Sequence, residues 1–162
     1  MDRQPIDLTG RRILVVEDDY ALATDMCNDL RNHGATVLGP APTPHYAFNM
    51  LMGPRGVDGA VLDIRLYGAD VFELAEHLKG LGVPIVFASG DVGHIPTSLQ
   101  DAPVLLKPIL NDQLIVAVDQ LTRNNADKLA PTAAVPLAAP PPPERTLAQR
   151  FYQAIRRSMR QI

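Results

Sequence analysis

The sequence has little of what several protein classes require. It contains a single cysteine, Cys27, which excludes an internal disulfide and leaves no second thiol for a metal site. We expect Cys27 to be a buried packing residue, since it lies in a helical pattern beside Ala23 and Leu30. No run approaches the roughly 18 apolar residues of a membrane span, and the N-terminus lacks a signal-peptide pattern. We therefore expect a cytoplasmic protein.

Aromatic residues are also scarce, at 5% of the chain with no tryptophan, so the core must be aliphatic. Hydrophobic residues nevertheless make up 46% of the 162 residues, which is enough for one domain of ordinary size. The charge is unevenly distributed. Residues 1–123 hold 9 Lys/Arg and 16 Asp/Glu, whereas residues 124–162 hold 6 and 2. An acidic body with a basic tail indicates two functional parts.

Apolar runs typical of buried strands alternate five times with segments of helical spacing. Strands are predicted at 12–17, 35–39, 59–64, 83–88 and 104–106. Helices are predicted at 20–33, from Thr43 or Pro44, at 69–80 and at 111–123, whereas 91–101 predicts only a short helix or a loop. The alternation predicts a doubly wound α/β domain with a five-stranded parallel sheet, whose sites form at the carboxyl ends of the strands.

Composition divides the chain into four segments. We expect a tail at 1–10, the α/β domain at 11–123, a Pro- and Ala-rich linker at 124–143 and a basic amphipathic helix at 144–162. That helix is too short to bury its own apolar stripe. The sequence leaves open whether it docks on its own domain, forms a homodimer, binds a partner, or touches a membrane surface or nucleic acid.

Polar side chains stand at the ends of four predicted strands, which share one edge of a parallel sheet. They are Glu17, Asp18 and Asp19 after the first strand, Asp63 in the third, Ser89 after the fourth and Lys107 after the fifth. Clustered carboxylates repel one another unless a cation lies between them, and Mg²⁺ suits an open site with oxygen ligands. With an ammonium beside it, such a site suits a phosphoryl group, which a carboxylate can accept as an aspartyl-phosphate.

The motifs ILVVEDD, VLDIRL, FASG and LLKP occur in the order seen in response-regulator receiver domains, and residues 11–123 resemble that family. The resemblance implies a flavodoxin-like strand order 2-1-3-4-5 and a role in two-component signalling. A sensor histidine kinase or a histidine phosphotransfer protein would donate the phosphoryl group, with Mg²⁺ as cofactor. The chain would signal by protein–protein contact and would not be an enzyme, apart from supporting its own phosphorylation and dephosphorylation.

The family's metal and acceptor residues carry over to matching positions. The resemblance implies that Asp63 is the phosphoacceptor and a metal ligand, that Asp18 binds the metal directly and that Glu17 binds it through water. The backbone carbonyl of Arg65 would be a further ligand. Asp19 is expected instead to cap the following helix.

The resemblance also implies roles for two residues that contact the phosphoryl group and for one that fixes a loop. Ser89 matches the switch hydroxyl, Lys107 matches the lysine that contacts a phosphoryl oxygen, and Pro108 matches the proline that fixes the loop, often through a cis bond. The four histidines show no metal-ligand spacing, so the donor histidine is expected on another protein.

Two features depart from the common pattern. Only 18 positions separate Ser89 from Lys107, with two prolines between them, as in a receiver subgroup that is frequent among stand-alone regulators. Val104 occupies the place of the usual aromatic switch residue, so the mode of signalling is expected to differ.

Two alternatives remain from the sequence. One is a flavodoxin-like module for a nucleotide or flavin, although EDDY replaces a phosphate-binding glycine-rich loop after the first strand. The other is a transcription regulator whose basic helix touches DNA. Neither nucleic acid nor membrane is the favoured partner.

Overall fold

The structure is a computed structural model that describes residues 4–66, 69–91 and 93–128, except for the side chains of 111 and 126–128. The basic helix expected at 144–162, and the linker from residue 129 onwards, lie outside the described residues. Within the described ranges, no helix has the length and apolar character that crossing a bilayer demands.

Five parallel strands form the central sheet. The described strands, which include two short ones outside this sheet, are in chain order β1 Arg12–Val16, β2 Thr36–Ala41, β3 Gly59–Asp63, β4 Arg65–Leu66, β5 Ala69–Asp70, β6 Ile85–Ser89 and β7 Val104–Leu106. The sheet order is β2-β1-β3-β6-β7, whereas β4 and β5 pair antiparallel as a separate small hairpin. Taken in chain order, the five sheet strands stand 2-1-3-4-5, so the predicted fold class and strand order are confirmed.

Helices cover both faces of the sheet. Among the described residues they are α1 Tyr20–Asn32, α2 Pro44–Leu51, α3 Phe72–Gly80 and α4 Asn111–Lys128, with a 3₁₀ turn at Thr97–Leu99. Alternate residues of each buried strand point to opposite faces. Leu14 and Val16 of β1 join the cluster that contains α2 and α3 residues, whereas Ile13 and Val15 join the cluster of α1 and α4. The aliphatic core predicted from composition therefore forms two layers, one on each face.

The ends of α1 follow local rules that the sequence anticipates. The Asp19 carboxylate accepts a hydrogen bond from the Leu22 N–H at 2.9 Å and caps the helix, as predicted. Gly34 follows the helix with a φ of 93°, a left-handed conformation that favours glycine. Cys27, on the buried face of this helix, is 1% exposed and is the packing residue that its spacing indicates.

Several strand boundaries shift by one or two residues, and the structure differs from the prediction more clearly in three further places. Residues 69 and 70 belong to the β4–β5 hairpin, so α3 begins at Phe72, because Asp70 accepts the Phe72 N–H and ends the hairpin there. The last helix continues beyond residue 123 to Lys128, into the segment predicted as linker. Leu8, predicted within the tail, is fully buried and its N–H donates to the His33 carbonyl.

Asp119 of α4 joins the last helix to the start of β1. Its carboxylate accepts from Arg11 at 2.9 Å and from Arg123 at 2.8 Å, and its side chain is only 11% exposed. Burial raises the pKa of Asp119, but the hydrogen bonds from Arg123 and Arg11 outweigh burial and hold it below its ordinary value. The ionised carboxylate is therefore stabilised by folding.

We expect Asp119→Asn to lower the free energy of unfolding at pH 7 by about 1–2 kcal/mol, measured by urea denaturation. A lowered folded pKa gives stability that is present above the unfolded value and is lost as pH falls through the folded value. The gap between wild type and variant should therefore shrink below about pH 4. Asp25→Asn, which removes an exposed carboxylate from α1, is the control and should change stability by less than about 0.5 kcal/mol. Equal losses in both variants at pH 7 would contradict this role of Asp119.

Candidate functional site

Three carboxylates meet at the carboxyl edge of the sheet. Asp63 is the last residue of β3, and Glu17 and Asp18 directly follow the neighbouring strand β1. One carboxylate oxygen from each of the three lies within 4.8 Å of the others. Glu17 is 2% exposed and Asp63 is 5% exposed, whereas Asp18 is more open to solvent. The parallel sheet thus brings together the acidic residues that the sequence predicts at one site.

Lys107, which directly follows the edge strand β7, supplies a positive charge to this cluster. Its Nζ lies 2.8 Å from Glu17 Oε2 and 3.0 Å from Asp63 Oδ2. Its own N–H donates to the Ser89 carbonyl at 2.9 Å, and the following bond to Pro108 is cis. The end of β7 is therefore attached to the end of β6, and the ammonium bridges the two buried carboxylates.

Burial and like charge act strongly on this cluster. Burial raises the pKa of Glu17 to about 7, and the negative charge of Asp63 adds to this, although hydrogen bonds from Lys107 and the Asp19 N–H oppose it. Burial lowers the pKa of Lys107, but its hydrogen bonds to Glu17 and Asp63 outweigh burial and raise it above its ordinary value. Three carboxylates therefore face one ammonium, and the cluster favours a further cation.

The donor set fits a hard divalent cation. Carboxylate oxygens are the ligands that Mg²⁺ prefers, and Mg²⁺ is usually held by only one or two of them together with water. The partly open Asp18, beside two buried carboxylates, matches this requirement. Residues Glu17, Asp18 and Asp63 could hold such an ion between them.

The loops after β3 and β6 complete the surroundings of Asp63. The Arg65 N–H donates to Asp63 Oδ1 at 3.2 Å, and the Arg65 guanidinium lies 3.5 Å from the Asp91 carboxylate. The Ser89 hydroxyl donates to the Asp91 carbonyl at 2.6 Å and accepts from the Asp91 N–H at 3.2 Å. The sequence did not predict a role for Asp91, although the order Ser-Gly-Asp is typical of a turn that a serine hydroxyl closes.

The structure thus places most of the predicted residues together and directs one of them elsewhere. Glu17, Asp18, Asp63 and Lys107 form one cluster. Ser89 ends the strand beside Asp63, but its hydroxyl is bound to the backbone of the following turn. The carbonyl of Arg65 as a metal ligand, and the roles of all these residues in phosphoryl transfer, remain predictions.

Solved structures similar to this chain are receiver domains. A response regulator receiver protein from Sinorhizobium medicae WSM419 is 29% identical, with a TM-score of 0.61, over 74% of this chain and 99% of that one. The receiver domain of a modulated diguanylate cyclase from Desulfovibrio desulfuricans G20 is 26% identical, with a TM-score of 0.62, over 73% of this chain and 98% of that one. PhyR of Brucella abortus shares the fold at 21% identity, with a TM-score of 0.65, over 78% of this chain and 53% of that one.

Sequence comparisons cover less of the chain. The uncharacterized transcriptional regulatory protein YbdJ of Bacillus subtilis (strain 168) is 30% identical over 84 residues, which are 51% of this chain and 36% of that protein. The match spans about a third of that relative's length. No family model matches the chain.

We expect Lys107→Met to lower the free energy of unfolding by about 2–4 kcal/mol, because it leaves Glu17 and Asp63 buried without a counter-charge. Lys79→Met is the matched control. The ion pair of Lys79 with Asp101 is exposed, with 48% and 77% of the two side chains accessible, so its loss should cost less than about 1 kcal/mol. Chemical denaturation without divalent cations measures both, and equal losses would show that the Lys107 bridge adds nothing beyond a surface pair.

Proposed function

Since the chain contains a response-regulator receiver domain, we propose that Asp63 accepts a phosphoryl group from a phosphohistidine of a partner protein. The partner is a sensor histidine kinase or a histidine phosphotransfer protein. The observation that carries this proposal is the convergence of three carboxylates and the Lys107 ammonium at one edge of the sheet. A buried aspartate beside a fixed cation is suited to attack an oxygen-rich anion.

The Asp63 carboxylate is the nucleophile in this transfer. One of its oxygens forms a bond to phosphorus while the phosphorus–nitrogen bond of the donor breaks, and the donor imidazole takes up a proton. The hydrogen bonds from the Arg65 N–H and the Lys107 Nζ hold the two oxygens of Asp63 in place before the reaction. The Lys107 ammonium neutralises charge on the phosphoryl oxygens and afterwards on the aspartyl-phosphate.

Mg²⁺ is the proposed cofactor. Glu17, Asp18, Asp63 and the backbone carbonyl of Arg65 would hold it, and when bound it supplies positive charge next to the phosphoryl oxygens. Without a cation, repulsion within the acidic cluster opposes the approach of an anion. Burial is the main cause that raises the pKa of Glu17 to about 7, and the negative charge of Asp63 adds to it.

Ser89 is the proposed switch residue, and the output is contact with another protein. Its hydroxyl would leave the Asp91 backbone and donate to the phosphoryl group on Asp63. Val104 pairs with Phe87 in the sheet and is half-buried. It occupies the place of the usual aromatic switch residue, so no aromatic ring can change position there on phosphorylation. The output surface of this chain therefore responds through the Ser89 turn.

Incubation with radiolabelled acetyl phosphate and Mg²⁺ should label the wild type, and Asp63→Asn should abolish the label. Asp19→Asn is the matched control, because asparagine caps a helix as well as aspartate does and the Asp19 carboxylate bonds the helix and not the cluster. It should keep most of the labelling. Peptide mapping that finds a stable label on another residue in Asp63→Asn would refute the assignment.

Asp18→Asn should weaken Mg²⁺ binding at least about tenfold, because a carboxylate ligand loses its charge. The increase in thermal stability on titration with MgCl₂ reports the affinity, since an ion that binds only the folded state stabilises it. Asp25→Asn, which changes the same charge on the exposed side of α1, should leave the titration curve unchanged. An unchanged curve for Asp18→Asn would remove that residue from the ligand set.

A further inference from the structure

The Ser89 hydroxyl already donates its one hydrogen within the structure. It donates its hydrogen to the Asp91 carbonyl at 2.6 Å and accepts the Asp91 N–H at 3.2 Å, and Ser89 as a whole is 2% exposed. A serine hydroxyl has a single hydrogen to donate. It therefore cannot donate to a phosphoryl oxygen on Asp63 until its bond to the Asp91 carbonyl is broken.

The backbone of Ser89 is fixed, so the movement belongs to its side chain and to the turn that follows. Ser89 pairs with Leu106 in the sheet, and its carbonyl accepts the Lys107 N–H at 2.9 Å. Gly90, Asp91 and Gly93 beyond it are exposed, and Gly93 has a φ of 46°. Because the hydroxyl bonds the Asp91 backbone, a contact that fixes Asp91 also fixes the hydroxyl.

Asp91 holds the turn through both oxygens of its carboxylate. Oδ1 accepts the Gly93 N–H at 3.1 Å, and Oδ2 lies 3.5 Å from the Arg65 guanidinium. Arg65 also donates its backbone N–H to Asp63 Oδ1. A single residue thus contacts the phosphoacceptor through its backbone and the Ser89 turn through its side chain.

The strength of the Arg65–Asp91 pair suits a reversible contact. The two side chains are 74% and 66% exposed, so the pair contributes no more than about 1 kcal/mol. A phosphoryl group on Asp63 places additional negative charge two residues from Arg65. That charge attracts the guanidinium and repels the Asp91 carboxylate, and both effects weaken the pair.

On the premise that Asp63 accepts a phosphoryl group, we infer that Asp91 is a positioning residue whose ion pair with Arg65 keeps the Ser89 hydroxyl on the turn backbone. Phosphorylation of Asp63 loosens the pair, the turn opens at its glycines, and the hydroxyl becomes available to the phosphoryl group. The pair therefore opposes the step in which Ser89 stabilises the phosphorylated state.

A double-mutant cycle of Asp91→Asn with Ser89→Ala tests this inference. Asp91→Asn should slow the loss of label from phosphorylated Asp63 about two- to fivefold, because the released hydroxyl stabilises that state and a pair of up to about 1 kcal/mol allows such a factor. In the Ser89→Ala background the same change should have no effect, because there is no hydroxyl to release. Asp101→Asn, which removes one charge of the exposed pair with Lys79, should leave that rate unchanged.

Amide hydrogen exchange tests the same pair without phosphorylation. Arg65→Gln should speed exchange of the Asp91 and Gly93 amides about two- to fivefold, while the Lys107 amide, bonded to the Ser89 carbonyl, should not change. Unchanged exchange at Asp91 and Gly93, or an Asp91→Asn effect that persists without the Ser89 hydroxyl, would overturn the inference. The proposed function fails separately, if Asp63→Asn is labelled as well as the wild type.

Discussion

Two carboxylates lie buried beside each other at the carboxyl edge of the sheet, and the Lys107 ammonium bridges them. Without that cation, Glu17 and Asp63 would place two negative charges in a region with almost no contact with water. An isolated buried charge is strongly unfavourable, whereas a charge that is paired and hydrogen-bonded can persist. The geometry of the remaining site depends on this bridge, because it holds one carboxylate oxygen of Glu17 and one of Asp63.

The sheet order explains how a lysine from the edge strand reaches the central ones. β7 is separated from β3 by β6, so the Lys107 side chain must pass the end of β6 to reach Asp63. The residues at that end are Ser89 and Gly90, which are small and leave the path open. The contact between Lys107 and Asp63 therefore requires both a long side chain after β7 and small residues at the end of β6. The same small residues begin the turn that holds the Ser89 hydroxyl.

Much of this arrangement could be predicted from the sequence, since strand ends of a parallel sheet converge and the acidic, hydroxyl and lysine residues all follow apolar runs. The cap by Asp19 and the burial of Cys27 depend on local spacing and were also predictable. The β4–β5 hairpin was not, because two-residue strands leave no periodic pattern in the sequence. The Arg65–Asp91 pair was not either, since it joins two loops whose proximity depends on the completed sheet.

The proposed function requires that an Asp63 oxygen bonds to phosphorus within a cluster that also binds a metal ion. The most direct measurement is a crystal structure of the full chain grown with Mg²⁺ and beryllofluoride, a phosphoryl mimic. We expect beryllium bonded to an Asp63 oxygen, Mg²⁺ between Asp63 and Asp18, and a fluorine atom in contact with Lys107 Nζ. Beryllofluoride bonded to a different carboxylate, or Asp63 still bridged to Glu17 by Lys107 with no metal ion at the cluster, would contradict the account.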